Sequence, residues 1–341
     1  MPSLVGSEMC IRDRLNGGLT NDSNFINSND FESNRKILSV NMQNSYATNR
    51  LFKSYINQNW ILSSSKNDST ILNIKKISFN NSFHRSTRIY FDSLNPDLFL
   101  NNFYSTESTH DSLLLDVFNS SVRYNIISNK DSIVQNLNIG WDSEILSYKN
   151  KLIDTILTNQ SLSLDFSKSK RNKSFRLGGN FYPLGYKKNN YEINFLYESF
   201  ILKDKKLKIS ADLSEFRPVF EINNFQSNHH FWDNKQFNNI LFWNASTEIS
   251  EGLFSLKSQI NQAYRPIYFT EYSEPSQFDS SLQVIQSSLN YNLIKKKYNL
   301  FTEIVYQYQG GAQILQLPDW VGQIKFNYIF GNEKSNLKLS L

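Results

Sequence analysis

The stretch Tyr191 to Leu213, YEINFLYESFILKDKKLKISADL, constrains the chain most, because it alternates in twos. Tyr191, Ile193, Phe195 and Tyr197 are apolar or aromatic, and Glu192, Asn194 and Glu198 between them are polar. A charged turn follows, Lys203-Asp204-Lys205-Lys206. Leu207, Ile209, Ala211 and Leu213 then alternate with Lys208, Ser210, Asp212 and Ser214. Successive side chains of a strand point to opposite faces, so each half carries one oily and one wet face. Helical spacing from Leu207 would collect Ser210, Ala211 and Ser214, a mixed face. The stretch predicts an antiparallel hairpin.

The same unit recurs along the chain. Leu38, Val40 and Met42 alternate with Ser39, Asn41 and Gln43. Further strands are expected over Tyr55 to Leu62, around Ile77 to Phe83, over Arg88 to Phe91, over Leu114 to Ile126, and over Ile133 to Trp141 with Asn136 and Asn138 on the wet side. Tyr148, Leu152 and Ile156 are spaced by four, so a short helix competes with a strand there. Alternation returns at Leu162 to Phe166, Phe175 to Phe181, Leu241 to Ile249, Phe254 to Ile260, Ile285 to Leu293, Tyr298 to Tyr308 and Trp320 to Phe330, the last with Gln323, Lys325 and Asn327 opposite. This reading gives roughly fifteen strands of about 8–12 residues, the length a tilted strand needs to cross a bilayer. Short charged turns (Lys203 to Lys206, Glu251-Gly252, Lys295 to Lys297) alternate with long polar connections, the longest over 215–236. Membrane barrels show the same asymmetry between their two rims.

Composition bears on where the oily face points, although a soluble β-sandwich or solenoid can share the same average. Hydrophobic residues are 39% of the 341 and aromatics 14%, with a mean hydropathy of −0.48. No apolar run is long enough for a transmembrane helix. A transmembrane β-barrel satisfies all of this, because only every second residue faces lipid. Backbone groups in hydrocarbon must all be paired, which requires a sheet without an edge. Trp60, Trp141, Tyr191, Phe200, Tyr264, Tyr308, Trp320 and Phe330 fall near strand ends, where a barrel carries its aromatic girdles. The expected fold is all-β, an antiparallel up-and-down transmembrane barrel. The net charge of +5 and the absence of basic runs with stacking aromatics argue against nucleic acid.

Four stretches stand out: LNGGL at Leu15 to Leu19, the pattern around Asn34-Arg35 with Val40 and Tyr46, DSLNPD at Asp92 to Asp97, and above all SNHHFWDNKQF at Ser227 to Phe237. Together they resemble an outer-membrane porin family of the Bacteroidetes. In the last, Asn228, His229, Trp232, Asn234 and Phe237 form a family-like element without an assigned role. The resemblance runs from about Leu15 onward and implies a diffusion channel in the bacterial outer membrane. Its implied partners are outer-membrane lipid, small hydrophilic solutes and the barrel-assembly machinery during biogenesis, with a homo-oligomer left open. VGSEMCIRDR, Val5 to Arg14, resembles a translated sequencing adapter, so residues 1–14 are expected to be a non-native tail and 15–341 one partial barrel domain. Such a tail also accounts for the lack of a signal peptide. Leu341 is not the terminal aromatic usual in such barrels, so further strands are expected beyond it.

Nothing in the sequence carries catalysis. There is no P-loop, GxGxxG or CxxC, and the single Cys10 excludes an internal disulfide. His229-His230 with Asp233 lacks a third ligand at regular spacing, so a packing motif with Trp232 is expected instead of a metal site. No cofactor is expected. The wet faces carry the functional expectation: Asn136, Asn138, Glu192, Asn194, Glu198, Lys208, Ser210, Asp212, Gln323, Lys325 and Asn327 would line a pore of mixed charge. A plugged barrel serving as a surface receptor or uptake component, and a secreted β-rich adhesin, are the alternatives.

Overall fold

The structure is a computed structural model describing residues 45–67, 71–93, 102–130, 132–202, 204–233, 236–270, 273–311, 314–315, 317–332 and 335–340. The expected strand around Leu38 to Met42, the segment 1–35 and residues 94–97 lie outside them. Among the described residues eighteen strands occur in chain order: β1 Tyr46–Asn67, β2 Ile71–Asp92, β3 Thr109–Lys130, β4 Ile133–Lys149, β5 Asp154–Lys170, β6 Lys173–Gly185, β7 Tyr191–Leu202, β8 Lys205–Phe216, β9 Asn224–Gln226, β10 Phe231–Asp233, β11 Ile240–Glu251, β12 Phe254–Tyr264, β13 Ile267–Phe269, β14 Pro275–Gln277, β15 Ser281–Ile294, β16 Tyr298–Gly311, β17 Trp320–Asn332 and β18 Ser335–Ser340. Among the described residues one helical turn occurs, α1, over Phe220–Asn223. A single 14-stranded sheet takes β1 to β8, β11, β12 and β15 to β18 in chain order. β9–β10 and β13–β14 are two small hairpins within connections.

Every pairing in the large sheet is antiparallel between neighbours, as the alternating hairpins predict. Among the described residues β1 pairs only with β2, and β18 only with β17. The expected barrel, incomplete at one or both ends, is present here as an open antiparallel meander without closure. Strand lengths differ from the expected 8–12. β1, β2 and β3 have 22 residues each, and β4 and β5 have 17. The segments expected as separate strands around Ile77 and Arg88 are both β2. The spacing of Tyr148, Leu152 and Ile156 belongs to a hairpin: β4 ends at Lys149, Asn150 turns the chain, and β5 starts at Asp154.

Residues paired across antiparallel strands share a face. One apolar row follows from the register across nine strands: Leu137, Phe166, Leu177, Phe195, Ala211, Ala245, Ile260, Ile285 and Tyr308. One residue along each strand runs a row of the other face: Asn138, Asp165, Gly178, Asn194, Asp212, Asn244, Asn261, Val284 and Gln309. Along these rows, from β4 to β16, the sheet therefore has one apolar and one polar face.

No second layer covers the apolar face among the described residues. Trp141, Leu164, Leu177, Ile193, Leu256, Leu289 and Ile324 on it are all exposed. The few buried large apolar side chains, Leu113, Val117, Tyr148 and Val284, lie on the polar face, and Trp232 lies in a connection. A soluble sandwich buries its oily faces against each other. This sheet is built the other way round, which suits lipid on its outside. Among the described residues no helix is long and apolar enough to cross a membrane.

The two rims differ as expected. Hairpins at one rim close within a few residues, at Arg171-Asn172, Gly252-Leu253 and Lys295 to Lys297. The opposite rim carries 93–108, 150–153, 186–190, 217–239, 265–280 and 312–319.

Candidate functional site: the polar face and the loop across it

The register places all eleven pore-lining candidates on the polar face. Glu192, Asn194 and Glu198 alternate on β7, opposite Ser214, Asp212 and Lys208 on β8. Ser210 joins Ser246 through a 2.7 Å hydroxyl bond. Asn136 and Asn138 belong to β4, opposite Ile127 and Asn125. Gln323, Lys325 and Asn327 on β17 face Glu303, Phe301 and Asn299 on β16. The candidates fall into three patches, on β4, on β7–β8 and on β17, and not into one cluster.

Charges on this face neutralise each other locally. Arg123 meets Asp142 at 3.2 Å, Arg176 meets Asp165 at 2.7 Å, and Lys187 meets Glu144 at 2.9 Å. Near the short-turn rim Lys206 meets Glu198 at 3.2 Å, and Lys208 is paired in register with both Glu198 and Glu248. Side-chain amides bind the face into a belt. Gln259 donates to Gln286, Gln286 donates to Gln307 at 2.9 Å, and Gln307 donates to the Pro318 carbonyl at 2.6 Å. The last bond holds Pro318 against this face.

The connection 217–239 crosses from the end of β8 to the ends of β6, β4 and β2. Its first part sits on Tyr186 and Tyr148. Phe220 packs against the rings of Tyr148 at 5.1 Å and Tyr186 at 6.2 Å. Tyr186 donates its hydroxyl to the Pro218 carbonyl at 2.9 Å and accepts from Asn223 at 2.6 Å. Burial raises the Tyr186 phenol pKa, opposed by its bond to Asn223. Tyr148, on the polar face of β4, is fully buried beneath the loop. Further along, Asn150 donates to the Gln226 carbonyl at 3.2 Å, and Arg88 stands 3.7 Å from Glu221.

Its tip, Ser227 to His230, is a tight turn closed by Ser227 N–H to His230 O at 2.8 Å and by His230 N–H to Ser227 Oγ at 2.9 Å. Asn228, fully buried, uses all its hydrogen-bonding capacity. Its Oδ1 accepts from the backbone of Tyr104 and Ser105 at 3.0 and 2.9 Å. Its Nδ2 donates to Ser105 O at 3.0 Å and Thr109 Oγ1 at 2.9 Å. Its own N–H reaches the Asp111 carboxylate at 3.1 Å, and its carbonyl accepts from Phe103 N–H at 2.8 Å. His229 Nε2 stands 2.8 Å from both Asp92 Oδ2 and Thr109 Oγ1. Trp232 stacks on Phe225 at 4.7 Å and donates its indole N–H to Glu221 O at 3.1 Å.

His229 and His230 do not converge. The first faces Asp92 and Thr109, and the second lies beside Trp232 at 6.3 Å. Among the described residues no group of three or more His, Cys, Asp or Glu could hold a metal. Asn234 lies outside the described residues, and Phe237 is half-buried in the approach to β11. Two segments that carry the family resemblance, beginning at Asp92 and at Ser227, meet through the His229–Asp92 contact. Tyr148, Tyr186, Thr109 and Asp111 were not among the sequence candidates. Only the joint presence of those two segments hinted that partners were shared.

The protein family described as "Putative porin" matches residues 7–341 of the chain. No match was found among curated proteins. Among solved structures the fold is similar to the siderophore receptor PirA from Pseudomonas aeruginosa, with a TM-score of 0.51 and 10% identity over 86% of this chain and 61% of that one. It is also similar to the copper transporter OprC, with a TM-score of 0.53 and 8% identity over 76% of this chain and 51% of that one. The chain thus spans between half and two thirds of the length of these structures. At such identities the likeness is one of fold.

Proposed function

The chain belongs to the family described as "Putative porin", and on that premise we propose that it forms the wall of an outer-membrane channel for passive diffusion of small hydrophilic solutes. The observation that carries this reading is the polar face, unbroken in register from β4 to β16 behind an uncovered apolar face. Turned inward, it is a water-compatible lining whose charges already pair with one another, which favours hydrophilic solutes without a strong preference for one sign of ion. The connection 217–239, held at its tip by Asn228 and His229, would narrow the mouth on the long-loop side. The same loop favours a second reading, a barrel kept shut as a surface receptor, because a fully bonded anchor resists displacement.

The two readings separate in a planar bilayer. The full chain, refolded in detergent, is expected to give discrete, roughly ohmic conductance steps. A folded, heat-modifiable protein without steps would move the reading to the closed receptor. A chain that stays soluble without detergent and never inserts would sink both and favour the secreted adhesin.

A further inference from the structure

On the polar face of β1 to β5 the register lays two neighbouring rows side by side. One is Asn57, Asn80, Ser121, Asp142 and Ser161. The other is Tyr55, Ser82, Asn119, Glu144 and Asn159. Most of these side chains are short, and they leave a hollow of about 340 Å³ that Tyr182 and Lys187 also line. That volume is at the lower end of the range for small-molecule sites. The hollow shares a strand and a face with the seat of the crossing loop: Glu144 is four residues before Tyr148, which packs against Phe220.

Its chemistry selects a ligand class. The charged groups are already satisfied in pairs, Arg123 with Asp142 and Lys187 with Glu144. Glu144 also accepts from Asn159 at 2.7 Å, and Asn159 accepts from the Lys187 backbone N–H at 2.7 Å. An ionic ligand would have to break one of these pairs and leave its partner unmatched. Asn57, Ser82 and Asn119, by contrast, make no side-chain hydrogen bond among the described residues, and each offers both donor and acceptor capacity. Two tyrosine rings, Tyr55 and Tyr182, flank them with apolar surface and a polar tip. Uncharged donors and acceptors between amphipathic rings match a molecule with hydroxyls around its edge and C–H groups on its face.

We propose that this hollow binds a neutral polyhydroxylated solute, a saccharide of one or two rings. The assignment rests on the channel reading for its physiological sense and not for its test. Binding of maltose to the full chain in detergent is measured by titration calorimetry, with gluconate and glucosamine as charged counterparts of similar chemistry. Block of single-channel current by maltose is measured separately. Maltose is expected to bind, and gluconate and glucosamine to bind at least about tenfold more weakly. Asn119→Ala is expected to weaken maltose by about tenfold. Ser121→Trp, which fills the hollow, is expected to abolish binding while the heat-modifiable fold persists. If Ser121→Trp does not fold, Asn119→Ala and the charged sugars still decide. No binding of maltose, equal binding of the charged sugars, or full binding by a folded Ser121→Trp chain would overturn the proposal. Binding without any conductance would leave the site standing and remove the channel instead.

Discussion

The two halves of the sheet treat their outer faces differently. In β7 and β8, of 12 residues each, the apolar alternation runs over most of the strand: Tyr191, Ile193, Phe195 and Tyr197, then Leu207, Ile209, Ala211 and Leu213. In β2 to β5 it is interrupted and then gives out toward the long-loop rim. Phe79, Val122, Trp141 and Leu162 form one row, the next outward row is Asn81, Ser120, Ser143 and Gln160, and the row after it carries Phe83, Phe118 and Ile145 beside Thr158. Beyond it ion pairs appear on the same face, Arg85–Asp116 at 2.7 Å and Lys149–Asp154 at 2.8 Å. Lengths agree. A strand of 12 residues spans about 40 Å and, tilted by about 45°, rises close to the ~30 Å of a hydrocarbon core. One of 22 residues spans about 70 Å and rises about 50 Å, leaving about 20 Å outside. The tall half is a membrane wall with a water-facing parapet, and the loop that springs from the short half rests on it.

The largest effect expected from this comparison separates band from parapet. Ile139 and Ile193 stand in one apolar row, linked through Leu164 and Gly179, with one residue in each half. Ile139→Arg and Ile193→Arg are each expected to destabilise the chain by about 2–4 kcal/mol in phospholipid vesicles. Ser147→Arg, on the same face of β4 but in the parapet, is expected to cost under about 0.5 kcal/mol. Urea-driven unfolding from vesicles measures all three. A cost for Ser147→Arg equal to that for Ile139→Arg would place the tall strands in lipid over their whole length.

The same division explains what the sequence could and could not disclose. Where lipid lies on one side and water on the other, alternation is strict, and β7, β8, β11 and β17 are legible residue by residue. In the parapet both faces meet water, so the period-2 signal fades. That is why Ile77 to Phe83 and Arg88 to Phe91 read as two strands with a break around His84 to Thr87, when β2 runs through. The four-residue spacing of Tyr148, Leu152 and Ile156 arose from a strand end, a turn and a new strand, with Tyr148 buried by Phe220 and Leu152 and Ile156 exposed. The polar-face residues were legible from parity alone. The partners of Asn228 and His229 were not, because Asp92 and Thr109 are separated from His229 by more than a hundred residues, and no local pattern encodes that meeting.

The contact between the halves can be cut. Asn228→Ala removes two donor and two acceptor contacts inside a buried site and orphans the Tyr104 and Ser105 amides. An anchoring loss of about 2 kcal/mol is expected, which corresponds to roughly thirtyfold faster proteolysis within 217–239 if cleavage follows loop opening. Asn238→Ala serves as the control, since Asn238 contributes only backbone groups to its bonds with Gln277. Equal cleavage rates in both variants would mean that the loop is held by Phe220 and Trp232 alone.

The rims can be compared through their glycines. Gly185 ends β6 on the long-loop rim with φ +102°, and a Cβ there would stand 2.0 Å from the Thr158 carbonyl. Gly252 turns the short rim with φ +57° and open space around it. Gly252→Ala is expected to cost about 1 kcal/mol, for the left-handed backbone alone. Gly185→Ala is expected to cost more, up to about 3 kcal/mol, since backbone must also move. Both are read from the same vesicle unfolding series, and a reversed order would contradict the tight approach of β5 to the 186–190 turn.

The smallest effect is the most discriminating for the parapet. Arg85 and Asp116 pair on the apolar side of the sheet through two bonds of 2.7 Å, yet the arginine side chain is 51% exposed. In water such a pair contributes little, because solvent screens it and both side chains lose freedom in making it. Removing one partner in hydrocarbon would instead strand a charge where nothing else can stabilise it. Arg85→Gln is therefore expected to leave the urea midpoint nearly unchanged, with whatever difference remains disappearing in high salt. A loss as large as that of Ile139→Arg, and indifferent to salt, would put Asp116 within the bilayer and erase the distinction between the two halves. A null result in salt and without it would mean that the wall above the membrane owes its standing to backbone pairing among β1 to β5, with surface charge contributing only solubility.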